Sequence, residues 1–287
     1  MDDAEAPPRA VDAIARARER LRTPPPERFP ELLAAVIADP HGDSPRIDYA
    51  DACVEVGDAR GDLIRHQLMV TEIRRDGGSV SEWIPSFDHA GELLRANRRA
   101  WLAELEPFLV AGVIRDPVFV RGFVEAVEFV GDIDLAILDA LYRIAPILHL
   151  TIFGGPDAVR RLAGSAALDR IVSLRVAGAQ LDDDAFAALV DSPHLGKLAY
   201  LDASANRLGV ASLEAIARRL PNLGYLAWKG NACEDPTDVA RLIHGTVVES
   251  LPTERGRELE AKFGPQAWLH SPSRWPSQFP PFIDAFE

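Results

Sequence analysis

Along the first 110 positions the apolar residues recur three and four apart, as on helices packed by one face. RAVDAIARARERLR at 9–22 places Val11, Ile14, Ala15 and Leu21 on one stripe among strong helix formers, and TPPPERFP then ends that helix with Pro24–Pro26 as a stiff connector. Leu32, Leu33, Val36 and Ile37 predict a helix over 31–38. RIDYADACVEV predicts another over 46–56, with Gly57 suited to its C-cap, and Leu63, Ile64, Leu68 and Ile73 a third over 61–75. Residues 79–88 hold Trp83, Pro85 and Phe87 without a clear period, and Leu93, Leu94, Trp101, Leu102 and Leu105 predict a helix over 91–105. A compact helical unit over 31–110 follows, preceded by an N-terminal helix and connector over 1–30.

The pattern then changes. FVRGFVEAVEFVG alternates as a strand does, and from there short strand-like runs take turns with short helical ones. The strand centres fall at Val127, Leu150, Leu174, Leu201 and Leu226, in steps of 23, 24, 27 and 25 residues. Open parallel-sheet units need about 30 residues or more per crossover. The shorter interval fits a leucine-rich repeat, in which one strand and one helix make a coil. Three successive stretches fit the repeat frame: IVSLRVAGAQL from Ile171, LAYLDASANRL from Leu198 and LGYLAWKGNAC from Leu223. The leucines point into a core that no single repeat could close. Asn206 and Asn231 stand where the chain turns after the strand and carry both a donor and an acceptor for its backbone groups; Ala179, at the same place, carries neither. The predicted fold class is α/β, a helical N-terminal domain followed by a short leucine-rich-repeat solenoid over 111–250, with a C-terminal cap and a Pro/aromatic tail over 251–287.

The segment LLAAVIADPHGDSPRIDYADACVEVGDARGDLIRHQL also resembles the repeat-companion domain of a bacterial family expanded in myxobacteria and planctomycetes. The matching features are Asp39-Pro40, Asp43, Pro45-Arg46, Tyr49-Ala50-Asp51, Glu55, Gly57-Asp58, Arg60-Gly61 and Gln67. RRAWL at 98–102, RGFVE at 121–125 and FGPQAWLH at 263–270 extend the likeness. The chain departs from the pattern at Ala52, where an aromatic is expected, and at Cys53, Val54 and Val56. The resemblance implies the architecture of companion domain plus repeats, with no assigned catalytic function, and an interaction or regulatory role.

Charge narrows the partners. Acidic residues number 44 against 31 Lys plus Arg, for a formal charge of -13. That field opposes general nucleic-acid or anionic-membrane binding and favours a partner with a basic surface. No apolar run approaches the roughly 18 residues that a membrane span needs. The acidic start, MDDAEAPPR, is unlike a secretory signal, so the expected location is the cytoplasm. Two cysteines, Cys53 and Cys233, are too few for a disulfide framework.

Candidate chemistry is sparse. The seven histidines form no zinc-site spacing, and neither phosphate-binding glycine fingerprint occurs. No catalytic, cofactor or metal residue is assigned. The acidic cluster from Asp39 to Asp62 is expected to make caps and salt bridges, with Arg46 and Arg60 as partners. Asp182-Asp183-Asp184 is expected to cap the helix that follows it. A protein partner is expected, and its candidate contacts flank the inward leucines: Arg175, Tyr200, Asp202 and Lys229, with Ala177, Ser204 and Ala227 beside them. Trp275, Phe279 and Phe282 in the tail are further candidates, as a cap or as a recognition segment. Two other functions compete: an enzyme or effector whose site joins Asp51, Arg60 and His66 between the helical domain and the repeats, and an accessory protein recognised through its tail.

Overall fold

The computed structural model describes residues 29–131, 133–243 and 246–270. The predicted helix at 9–22, its connector and the tail candidates Trp275, Phe279 and Phe282 lie outside those residues.

Five helices come first: α1 (Pro30–Ala38), α2 (Ser44–Glu55), α3 (Arg60–Arg75), α4 (Val80–Trp101) and the short α5 (Glu106–Val110). Helix α4 begins eleven residues before the expected start at 91 and takes in the stretch without an apparent period. Two local features explain it. Glu82 reaches back to accept from the Ser79 amide at 2.5 Å, one half of a capping box. Trp83 and Phe87, one turn apart, meet edge to face at 5.6 Å, and Arg74 of α3 stacks on Trp83 at 4.8 Å. Pro85 sits inside the helix. It removes one backbone donor, which is why the stretch reads as a break.

The strands β1 (Ile114–Val120), β2 (Phe123–Val130), β3 (His149–Phe153), β4 (Ser173–Arg175), β5 (Tyr200–Asp202) and β6 (Tyr225–Ala227) form one sheet in chain order. The β1–β2 pair is antiparallel, and every later pair is parallel. The fold is thus mixed α/β with a six-stranded, mostly parallel sheet. Strand β1 was not legible as a strand because Asp116-Pro117 interrupts it: the register shifts between Arg115 and Val118, and Asp116 takes φ 47°. Between the parallel strands run α6 (Leu135–Tyr142), α7 (Pro156–Ala163) with a 3-10 turn at Ala166–Arg170, α8 (Asp183–Val190) and α9 (Val210–Arg219).

The five expected strand centres are paired with one another. Val127 is opposite Leu150, Leu150 opposite Leu174, Leu174 opposite Leu201 and Leu201 opposite Leu226, and all five are buried. Two residues on, Phe129, Ile152, Val176, Ala203 and Trp228 are buried on the same side. These rows join the helices and reach into Leu63, Ala90 and Leu94 of the helical unit, one continuous core. Residues 237–252 leave the repeating pattern: β7 (Thr237–Ile243) and β8 (Thr246–Pro252) pair antiparallel in a separate sheet. Helix α10 (Glu254–Phe263) then packs on α9, and a 3-10 turn at Ala267–Leu269 packs on β6, burying Trp268.

Among the described residues no helix is long and apolar enough to cross a membrane.

Candidate interaction surface

Period-two alternation sends every second strand residue away from the leucine row. In-register parallel pairing then lines those residues up across the sheet. One file runs Ala126, His149, Ser173, Tyr200, Tyr225, and the next runs Glu128, Thr151, Arg175, Asp202, Ala227. Arg175, Tyr200 and Asp202, named from sequence as separate candidates, are thereby neighbours.

Their chemistry is specific. Arg175 Nε lies 3.1 Å from Asp202 Oδ2, and Asp202 also accepts from the Ser204 amide at 3.0 Å. Asp202 is buried while Arg175 remains 44% exposed at its side chain, so the guanidinium is aimed and still reachable. The rings of Tyr200 and Tyr225 stack at 6.4 Å with an angle of 26° between planes. Burial pushes both phenols above the ordinary tyrosine range, so they are neutral hydrogen-bonding groups. Lys229 is exposed just past β6, and its carbonyl accepts from Ala205. At the other end, Arg115 pairs with Glu128 at 2.7 Å and covers the Phe153 ring at 4.2 Å.

The turns that hold these strands in register depend on the two asparagines. Asn206 Oδ1 accepts from the Leu181 amide at 3.0 Å, one coil back. Its Nδ2 donates to the carbonyls of Val176, Ala203 and Ser204 at 2.9, 3.0 and 3.1 Å. Asn231 repeats the arrangement, accepting from Leu208 and donating to Ala203 and Trp228. Asp182 caps α8, accepting from Ala185 at 2.9 Å. Asp183 does something else: it accepts from the Gly209 amide at 2.8 Å and from the Ser212 hydroxyl, tying the start of α8 to the start of α9.

At the junction of the helical unit and the sheet, the motif residues converge. Arg46 is fully buried and donates to Glu125 at 2.6 Å and to the Pro40 carbonyl at 2.9 Å. Arg121 donates to both Glu125 oxygens, at 3.1 and 2.9 Å, and to Asp43 at 2.8 Å. Gln67 spans the turn of the β1–β2 hairpin, donating to the Phe119 carbonyl at 3.1 Å and accepting from the Gly122 amide at 2.7 Å. Arg121 and Gly122 both take positive φ, the two-residue turn that suits a hairpin. A Cβ at Gly122 would stand 2.0 Å from Ile64, so this position requires glycine twice over.

The acidic cluster makes caps and ion pairs: Asp58 accepts from the Arg60 amide at 2.9 Å, but among the described residues the ion pairs go to arginines other than Arg46 and Arg60. Asp43 pairs with Arg121, and Asp51 pairs with Arg65 at the surface. Arg46 is committed to Glu125, and Arg60 stacks on Phe123 at 4.6 Å and Tyr49 at 5.4 Å. Asp51 and Arg60 therefore face different partners. Outside this junction, a cavity of about 350 Å³ lies between the loops at 190–198 and 219–222, bounded by the Arg219–Asp191 pair.

His149 follows Ala126 in the first file. Burial, then the charges of Arg121 and His41, push its pKa down to about 3. The unfolded imidazole titrates near 6.5, so between those values the unfolded chain binds the proton more readily. Its contribution to stability is complete above about pH 6.5 and is lost toward pH 3, at up to about 1.4 kcal/mol per pH unit. Thermal melts from pH 7 to pH 4 should fall more steeply for the natural chain than for His149→Gln. Parallel curves would refute that assignment.

No family model matches the chain, and no curated protein or solved structure matches it either.

Proposed function

We propose that the chain is a non-catalytic protein-interaction adaptor that grips its partner on the open face of the sheet. On this reading residues 111–236 are coils of a leucine-rich-repeat solenoid, the helical unit is its companion domain, and α10 with Trp268 closes its far end. The observation that carries the reading is the alignment of Arg175, Asp202, Tyr200 and Tyr225 in two adjacent files on one face. The steps of 23 to 27 residues between mutually paired leucines and the asparagines bridging successive coils support the solenoid.

A stacked tyrosine pair beside an aimed arginine is the composition of an interface anchor. The net charge of -13 selects a partner with basic character and speeds its approach. Affinity capture from native lysate with the full chain tests the proposal. Recovery of a stoichiometric protein should fall by about 30-fold or more in affinity when Tyr200→Ala and Arg175→Ala are combined, the loss of about 2 kcal/mol typical of an anchor. It should not change in Arg161→Ala on the helical side. A partner retained by the double variant and lost with Arg161→Ala would place binding on the opposite face.

A further inference from the structure

We propose that His66 and His89 form a surface site for a divalent late transition-metal ion, Cu²⁺ foremost, with water completing its coordination. His66 belongs to α3 and His89 to α4, helices that pack on each other along their length. Their ring centroids are 4.6 Å apart, with planes at 65°. Two imidazole nitrogens bound to one ion at about 2.0–2.1 Å would set the ring centroids about 4.5 Å apart at a right angle and about 5.2 Å apart at the tetrahedral angle. The spacing already present falls within that range, and copper heads the divalent first-row series in affinity for imidazole sites.

The surroundings fit the same role. His89 Nδ1 lies 3.8 Å from the Glu92 carboxylate, an ion-pair distance that adds negative charge beside a bound cation. His66 Nδ1 is shielded from solvent, which leaves Nε2 as the nitrogen that can meet a hydrated ion.

Calorimetric titration of the full chain with Cu²⁺ at pH 7.5, paired with electron paramagnetic resonance of the loaded protein, tests the site. One bound ion is expected, with a spectrum showing two coordinating imidazoles. His89→Ala and His66→Gln should each weaken binding at least tenfold and leave one imidazole in the spectrum. His194→Ala should change nothing. His89 is exposed, so its replacement leaves the fold intact, and circular dichroism verifies this for His66→Gln. Equal affinity of the natural chain and His89→Ala, or a single imidazole in the spectrum of the natural chain, would overturn the proposal.

Discussion

Glu125→Ala should destabilise the protein by about 3–5 kcal/mol, the cost of removing one partner from a buried ion pair. Glu125 is 1% exposed and accepts from two guanidinium groups, those of Arg46 and Arg121. Arg46 is itself 0% exposed. Without the carboxylate, two cations would be left in a site closed to water, with only carbonyls and the half-buried Asp43 to answer them. Backbone groups of the α1–α2 loop are part of the same knot, since Pro40 accepts from both arginines. The loss should therefore spread: the helical unit would loosen from the hairpin, and amide exchange in α1 to α3 should quicken before that in β3 to β6. Glu125→Gln should cost less, because it keeps an acceptor. Denaturant titration with fluorescence, read as the shift in midpoint, gives the sizes. A shift under 1 kcal/mol for Glu125→Ala would mean that this junction does not hold the two parts together.

Asn206→Asp should be the next most damaging change, at about 3 kcal/mol, larger than Asn206→Ala at about 2 kcal/mol. The usual order of severity is inverted because Nδ2 of Asn206 donates to three carbonyls within 3.1 Å. An aspartate would present a second oxygen to all three, and a charge in a site 6% exposed. Alanine leaves the Val176 carbonyl and the Leu181 amide unanswered but adds no charge, while Ala203 still accepts from Asn231 and Ser204 from the Gly178 amide. Asn231 is half-buried and bridges only two carbonyls, so Asn231→Asp should cost less than Asn206→Asp. Equal midpoints for Asn206→Asp and Asn206→Ala in urea titration would contradict the role of Nδ2 as donor.

The parts legible in the sequence were those written locally or at a fixed repeat. Val127, Leu150, Leu174, Leu201 and Leu226 were recognisable because each strand carries its own alternation and the interval recurs. The roles of Asn206 and Asn231 followed from their place after the strand. What stayed hidden rests on distant partners or on local exceptions. Arg46 and Glu125 are 79 residues apart, and nothing in either neighbourhood names the other. RGFVE and Pro45-Arg46 were singled out by resemblance, but their meeting in one buried knot is a tertiary fact. Asp183 looked like one of three equivalent caps until its bond to Gly209, 26 residues on, set it apart. The Asp116-Pro117 bulge concealed β1, and Pro85 concealed the first turns of α4.

The adaptor reading turns on whether a partner touches the open face of the sheet. A photo-crosslinking amino acid placed at Tyr200 in the full chain, compared with the same group at Arg161 among the helices, answers this directly in native lysate. One dominant crosslinked protein is expected from position 200, competed away by unlabelled natural chain, and none from position 161. Crosslinking from position 161 with silence at position 200 would contradict it.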